Sequence, residues 1–197
     1  KLSRMSAELR QGEFNASLTQ SATLCLLLTL PASVGLWIHA EDIIRAIYRY
    51  RSFNEMDVLK TGGALRAYAV GLAAYAMVKV FVPAYYAMGK TGIPVVGTLA
   101  AIGTNIVLCS LWVESYGHSG LALATSLAAM ANLGFLLICG QGKLWKIELA
   151  SVGLSGVKIT VASCFMGACG YQLQSYWHEI FGIQNQLLNV TGVALFM

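Results

Sequence analysis

Charged residues are scarce: Asp, Glu, Lys and Arg together make 11% of the 197 residues, against 57% apolar. A water-soluble domain carries about 25% charged residues, so an ordinary soluble globule is excluded. Proline is scarcer still, with 3 residues beside 20 glycines. That rules out a proline-rich disordered segment or a collagen-like repeat, and the glycine suits membrane helices, where small residues let backbones approach. No C-x-x-C pair occurs among the 5 cysteines, all of which lie inside apolar runs. They read as small buried hydrophobes, neither a zinc site nor a secreted disulfide framework. The apolar runs are continuous and lack alternation at every second residue, which disfavours a β-barrel. Mean hydropathy is +0.64, and the fold class expected is all-α, a polytopic transmembrane helix bundle. The net charge of +4 comes from short clusters flanking apolar stretches, so no nucleic-acid partner is expected; membrane lipids are.

Carboxylates are missing from the middle of every span. All 9 acidic residues fall in connections or near helix ends, so a buried proton or sodium relay, if the intact protein has one, lies outside this segment. There is no Ser/His/Asp or Cys/His arrangement, no phosphate-cradling glycine loop and no metal spacing among His39, His118 and His178. The chain is therefore read as non-enzymatic, with no cofactor and no metal, and its histidines as interfacial hydrogen-bonding groups.

What is present is a series of apolar runs at about 14–39, 62–88, 93–113, 119–139 and 151–173, each long enough to cross a bilayer, and an incomplete one at about 184–197. Short connections make neighbours antiparallel, giving a meander of five full spans and a partial sixth. The sequence lacks an initiator methionine, and the last run, about 18 Å of helix, is too short to span, so one membrane domain from within a longer chain is expected. The longest connection, Glu41 to Lys60, holds Ile43, Ile44, Ile47 and Tyr48 at helical spacing, which predicts an interfacial helix over about 42–50 with Glu41 placed to pair with Arg45 four residues on. Asn54 reads as the N-cap of the next helix, with Glu55 and Asp57 in its first turn; Gly62-Gly63 is expected to loosen that helix. Loops on one side hold six basic residues (Lys1, Arg4, Arg10, Lys90, Lys143, Lys146) and the other side four (Arg45, Arg49, Arg51, Lys60), a weak preference for a cytoplasmic start.

One span carries a polar pattern. At 100° per residue, Tyr68, Tyr75, Lys79 and Tyr86 fall in a narrow arc, away from Met77, Val78 and Phe81. In one reading this face lines a hydrated cavity, with the Lys79 ammonium as counter-charge to an anionic ligand. In the other, Lys79 snorkels to the interface and the tyrosines pack or form a belt. Pro83, four residues after Lys79, and Pro31, four after Leu27, each remove a helix hydrogen bond and are hinge candidates. Asn105 and Asn132 each lie about a dozen residues into consecutive spans; they are expected either to bond across the helix pair or to line the cavity. Ala122 with Ser126, and Ser163 with Gly167, have the spacing of close helix contacts. Lys158 marks either a deep cation or a late start to its span. Two Asn-x-Ser/Thr triplets, at 15–17 and 189–191, are short enough to be chance.

Several stretches resemble the lipid II flippase family, MurJ (also called MviN), of the exporter superfamily that includes multidrug and polysaccharide-lipid transporters. They are Cys25 to Pro31 (CLLLTLP), Tyr68 to Leu72 (YAVGL), Val78 to Ala87 (VKVFVPAYYA), Asn105 to Leu108 (NIVL) and Gly117 to Ala129 (GHSGLALATSLAA), in family order. The resemblance implies a MurJ/MATE-like C-lobe fragment, spans nine to thirteen and the start of fourteen. The substrate it implies is a lipid-linked anionic one, the undecaprenyl-pyrophosphate-linked peptidoglycan precursor (lipid II), moved across the bacterial inner membrane by alternating access. It further implies that residues 1–13 are cytoplasmic, that the Glu41–Lys60 connection is periplasmic, that the last two spans form a groove for the lipid tail, and that the pyrophosphate arginines lie in the N-terminal lobe of the same chain and the eighth span. The connections Met88 to Pro94 and Arg51 to Asn54 depart from the family pattern. Two other functions fit the pattern of spans: a multidrug or polysaccharide-lipid exporter, and a structural membrane subunit that transports nothing.

Overall fold

The computed structural model describes residues 2–48, 54–141, 152–170 and 172. Six helices occupy the described residues: α1 (Leu2–Ile38), α2 (Ala40–Tyr48), α3 (Glu55–Ala87), α4 (Gly92–Glu114), α5 (Tyr116–Gly140) and α6 (Val152–Gly170). All but α2 are long and apolar enough to cross a membrane. The all-α bundle is what the apolar runs dictate. The run expected at 184–197, His178 and the 189–191 triplet lie outside the described residues.

Local chemistry sets the boundaries. Asn54 caps α3 in a reciprocal box: its side chain accepts from the Asp57 amide at 3.0 Å, and the Asp57 carboxylate accepts from the Asn54 amide at 3.1 Å. These bonds satisfy two donors that a bare helix start leaves open. At the other end Gly89 takes φ 69°, a conformation that costs glycine little. There the Lys90 amide donates to the Tyr85 carbonyl and the Gly89 amide to Tyr86, both at 3.0 Å, the paired bonds of a Schellman stop. Gly117, the second residue of α5, has φ 53° and ψ −131° and marks the kink at which the path turns from α4 into α5. It falls within the expected connection 114–118.

Direction follows from residue pairings. Ser33 Oγ donates to the Ala69 carbonyl and Arg66 Nε to the Trp37 carbonyl at 3.2 Å, so α1 and α3 are antiparallel. Ser126 Oγ donates to the Ala67 carbonyl at 2.7 Å and Tyr85 Oη to Leu136 at 2.5 Å, so α3 and α5 run parallel. Helix α6 lies along α1, with Gly156 facing Leu26 and Gly167 facing Val34 and Ile38. This is the up-and-down meander of short connections.

α3 sits at the centre because its surface permits it. In its most apolar stretch 39% of residues are buried, against 6% in α1. Small residues open the way: a Cβ at Gly71 would lie 2.7 Å from Ser126 Cα. Lipid tails give no net hydrophobic drive to helix pairing, so such close backbone contact and interhelical hydrogen bonds hold the bundle. The main core joins Leu18 and Ala22 of α1, Met77, Phe81, Ala84 and Tyr85 of α3, Leu136 of α5 and Val152 of α6.

Three local expectations are corrected. α3 is continuous through Gly62-Gly63; these glycines make room, Gly62 for Glu41 and Gly63 for the Ser119 hydroxyl, and the helix is not loosened. α2 begins at Ala40 and buries Ala40 and Ile44, but Glu41 does not pair with Arg45. Glu41 instead meets Arg66 at 3.0 Å, and Arg45 meets Glu55 at 2.9 Å. Packing α2 against α3 brings closer partners than one helical turn supplies.

Candidate functional site

The open face of α3 is the counterpart of its packed one. Ala67, Gly71, Ala74, Met77, Phe81, Ala84 and Tyr85 are buried, whereas Tyr68, Tyr75 and Tyr86 are 47%, 40% and 51% exposed and Lys79 is exposed. The predicted arc is therefore one uncovered stripe. Among the described residues Lys79 has neither an ion-pair nor a hydrogen-bond partner. It stands about 12 Å of helix rise from Ala87 and Tyr75 about 18 Å, so the ammonium is near one end of the span and the Tyr75 hydroxyl deeper.

The structure brings only part of the stripe together. Tyr68 and Tyr86 lie about 10 Å of rise to either side of the Tyr75–Lys79 turn, too far to share a small ligand with each other. Tyr75 instead reaches across to α5, its hydroxyl 3.5 Å from the Thr125 carbonyl. Asn105 of α4 arrives from the other side, Nδ2 at 3.4 Å from Thr125 Oγ1, while Cys109 Sγ donates to Asn105 Oδ1 at 2.9 Å. Thr125 also donates to Leu121 one turn back at 2.8 Å. Tyr75, Asn105, Cys109 and Thr125 thus form an uncharged polar cluster between α3, α4 and α5. Thr125 carried no expectation from the sequence, and the reading of the cysteines as small buried hydrophobes is corrected: Cys25, Cys109 and Cys139 are half-buried, Cys164 and Cys169 are exposed, and Cys109, four residues after Asn105, is hydrogen-bonded to it. No group of three or more His, Cys, Asp or Glu residues that could hold a metal occurs among the described residues.

Asn105 and Asn132 do not meet. Asn132 Oδ1 faces Gly97, while Asn105 faces Thr125. In antiparallel helices, equal distances from the two starts lie on opposite sides of the midplane, so the expected pairing placed the two side chains at different depths. Pro31 and Pro83 lie inside α1 and α3, and both helices continue through them. The small pairs do mark close contacts: Ala122 and Ser126 are buried against α3, and Gly167 lies on α1. Lys158 is exposed, six residues into α6.

A second polar centre occupies the α2 end. Arg66, which had no role in the sequence reading, holds the Glu41 carboxylate at 3.0 Å and donates from Nε to the Trp37 carbonyl at 3.2 Å. That carbonyl belongs to the last turn of α1, where acceptors lack helix partners. The signal for Arg66 was a cation just inside an expected span, beside two glycines. Arg45 joins Glu55 at 2.9 Å and Asp42 at 3.7 Å, and the Glu55 carboxylate that accepts its hydrogen bond raises the Arg45 pKa above its usual value. With Arg66 assigned to this end and Lys158 to the other, the basic residues apart from Lys79 divide seven against five, the same margin as the loops alone gave.

Similarity to known proteins agrees with this architecture. The family described as "Lipid II flippase MurJ" matches residues 1–192. Proteins named "Probable lipid II flippase MurJ" are similar to the chain in Rhizobium tropici (32% identity over 88% of the chain and 33% of the relative), Rickettsia prowazekii (34%, over 87% and 35%) and Vibrio cholerae (31%, over 98% and 37%). The chain spans about a third of the length of these curated relatives. With its five candidate spans it is a multi-pass inner-membrane protein. The chain belongs to the lipid II flippase MurJ family.

Proposed function

We propose that this chain supplies part of one lobe of a transporter that carries a lipid-linked anionic precursor, of the undecaprenyl-pyrophosphate-linked kind, across the bacterial inner membrane by alternating access. It makes and breaks no covalent bonds, and the N-terminal lobe of the same protein closes the other side of the path. Residues 1–13 face the cytoplasm and α2 the periplasm. The stripe of Tyr68, Tyr75, Lys79 and Tyr86 lines the path, Asn105 borders it beside Tyr75, and Pro31 and Pro83 are the points at which α1 and α3 bend as access alternates.

The observation that carries this reading is a cation without a partner among the described residues, on the open face of a helix whose other face is packed in the core. A lysine costs about 2.5–3.5 kcal/mol at the centre of a span on insertion scales and less toward its ends, so a sequence of so few charges keeps one inside a span where it is hydrated or paired for part of a cycle. A diphosphate passing the stripe supplies that counter-charge, and at protein-like dielectric the attraction reaches about 4 kcal/mol per unit pair at 4 Å. Flanking phenols donate hydrogen bonds to the same oxygens. Family membership supports the substrate class.

Lys79→Met in the full-length protein tests the reading. The expected result is loss of complementation of a flippase-deficient strain, with membrane insertion and protein level unchanged. Normal growth at normal expression would remove Lys79 from the path.

A further inference from the structure

Lys158, like Lys79, is a cation set well inside a span, and its depth follows from the packing of its helix. Gly156 of α6 faces Leu26 of α1, and Gly167 faces Val34 and Ile38, so the two parallel helices stand in a register that puts Lys158 level with about Leu28. Leu28 is ten residues from Ile38, about 15 Å of rise. Ser33 beside Ala69 and Trp37 beside Arg66 fix the antiparallel register of α1 and α3, which sets Ala87, at the end of α3, level with about Asn15. The other end of the bundle is therefore about 20 Å from Lys158. Val152, the first described residue of α6, already packs in the core with Leu18 and Ala22, so six residues from that start is deep in the bilayer. A lysine's four-carbon stem covers neither distance, and in a helix it leans toward the N-terminus, here the farther side.

The face that carries Lys158 is turned away from everything described. Ser163 and Gly167 are buried, and Lys158 lies about 140–180° round the helix from them and from Gly156. Its neighbours there are Leu154, Val161, Ala162 and Phe165, all exposed. It has neither an ion-pair nor a hydrogen-bond partner among the described residues. Nor does it share the stripe of α3. Helix α6 meets α3 at Val70, with which it walls a cavity, and at Met77, in the core with Val152; both lie about 180–200° round α3 from Lys79.

We infer that this outer face of α6 is an intramembrane helix interface, where Lys158 pairs with a carboxylate on a spanning helix from the part of the full-length protein outside residues 1–197. Charge complementarity selects the partner, because a cation at this depth is paired or hydrated. The surroundings select pairing over a wet path: Lys79 stands among three phenols, whereas Lys158 is flanked by aliphatic and phenyl side chains that complement another apolar helix. A second copy of these residues brings no carboxylate to that level, since all 9 acidic residues lie in connections or near helix ends. The chain covers 33–37% of its curated relatives' length, which leaves most of such a protein to supply the helix. The inference does not rest on the reading of Lys79.

A zero-length cross-link tests it. Full-length protein in its native membranes is treated with dicyclohexylcarbodiimide, a lipid-soluble reagent that activates a carboxyl group so that an amine touching it forms an amide and releases the urea. Digestion and mass spectrometry should find Lys158 joined to an Asp or Glu peptide of the same protein from outside residues 1–197. Lys158→Arg keeps the charge but should lose the link and retain the wild-type melting midpoint. Lys158→Met strands the carboxylate and should lower the midpoint of the detergent-solubilised protein by about 4 °C or more. Three results would overturn the inference. They are no link at Lys158 while other carboxylates in the same membranes are modified, a link only to a different protein, or a midpoint that Lys158→Met leaves unchanged or raises, as a lysine facing acyl chains or water would give. If Lys158→Met fails to insert, the link in the wild-type protein decides alone.

Discussion

Arg66 and Lys79 are cations on one helix, thirteen residues apart, yet they live in opposite circumstances. Arg66 is tied to Glu41 and to the Trp37 carbonyl; Lys79 has no ionic or hydrogen-bonding partner among the described residues. About 20 Å of rise and about 140° of helix rotation separate them, so one points into the α1 corner and the other along the open stripe. The difference teaches which charge holds the fold and which is kept for something the fold does not contain. A paired charge has a reason within the lobe. One without a partner, on the open face of a centrally packed helix, has its reason outside it.

The contrast can be broken from the packed side. Gly71→Leu should have the largest effect, because even a Cβ at that position would meet Ser126 atoms at 2.6–2.7 Å; overpacking of this kind costs about 1–3 kcal/mol or more, and the α3–α5 contact should part. Melting of the detergent-solubilised protein is expected to fall steeply or be replaced by aggregation, while a wild-type melting curve would contradict the central packing of α3. Next comes the pair of cations. Arg66→Ala removes an ionic hydrogen bond and a helix-end contact, worth about 1–2 kcal/mol together, whereas Lys79→Ala should leave the melting temperature where it was. Equal destabilisation by the two would dissolve the distinction between them. Smaller again is Asn54→Ala, which loses a cap and costs about 1 kcal/mol, seen as faster amide exchange in the first turn of α3 with the turns beyond Gly71 unaffected. The smallest change is expected of Arg45→Ala: its exposed bond to Glu55 is screened by salt, so any loss of stability should vanish at high ionic strength.

The architecture was legible because each of its determinants is local in sequence. Apolar runs longer than twenty residues leave little choice but helices, and the cap at Asn54 and the break at Gly117 are written in the residues at those points. The exposed stripe was legible for the same reason, since helical period alone places Tyr68, Tyr75, Lys79 and Tyr86 on one face. What could not be read depends on which helix lies beside which. Tyr85 and Tyr86 are neighbours of like chemistry, but the first is buried with its hydroxyl on Leu136 and the second is exposed; only the position of α5 separates them. Glu41 had a partner at helical spacing in Arg45 and took Arg66 instead, because docking α2 on Gly62 brings the α3 guanidinium closer. Asn105 met Thr125, not Asn132, since antiparallel helices pair residues at equal distances from the turn between them. Tertiary approach decided each of these pairings, and the sequence records it only in the glycines that permit it.

Solvent access along α3 is the most direct measure of the central claim. Single cysteines placed in turn from Tyr68 to Tyr86 of the full-length protein, reacted in intact membranes with a charged, membrane-impermeant thiol reagent, should label at 68, 75, 79 and 86, stay silent at 77, 81 and 85, and be protected at 75 and 79 by added lipid-linked diphosphate. Silence along the whole stripe, with labelling only by a lipid-soluble reagent, would place Lys79 against acyl chains and contradict the account.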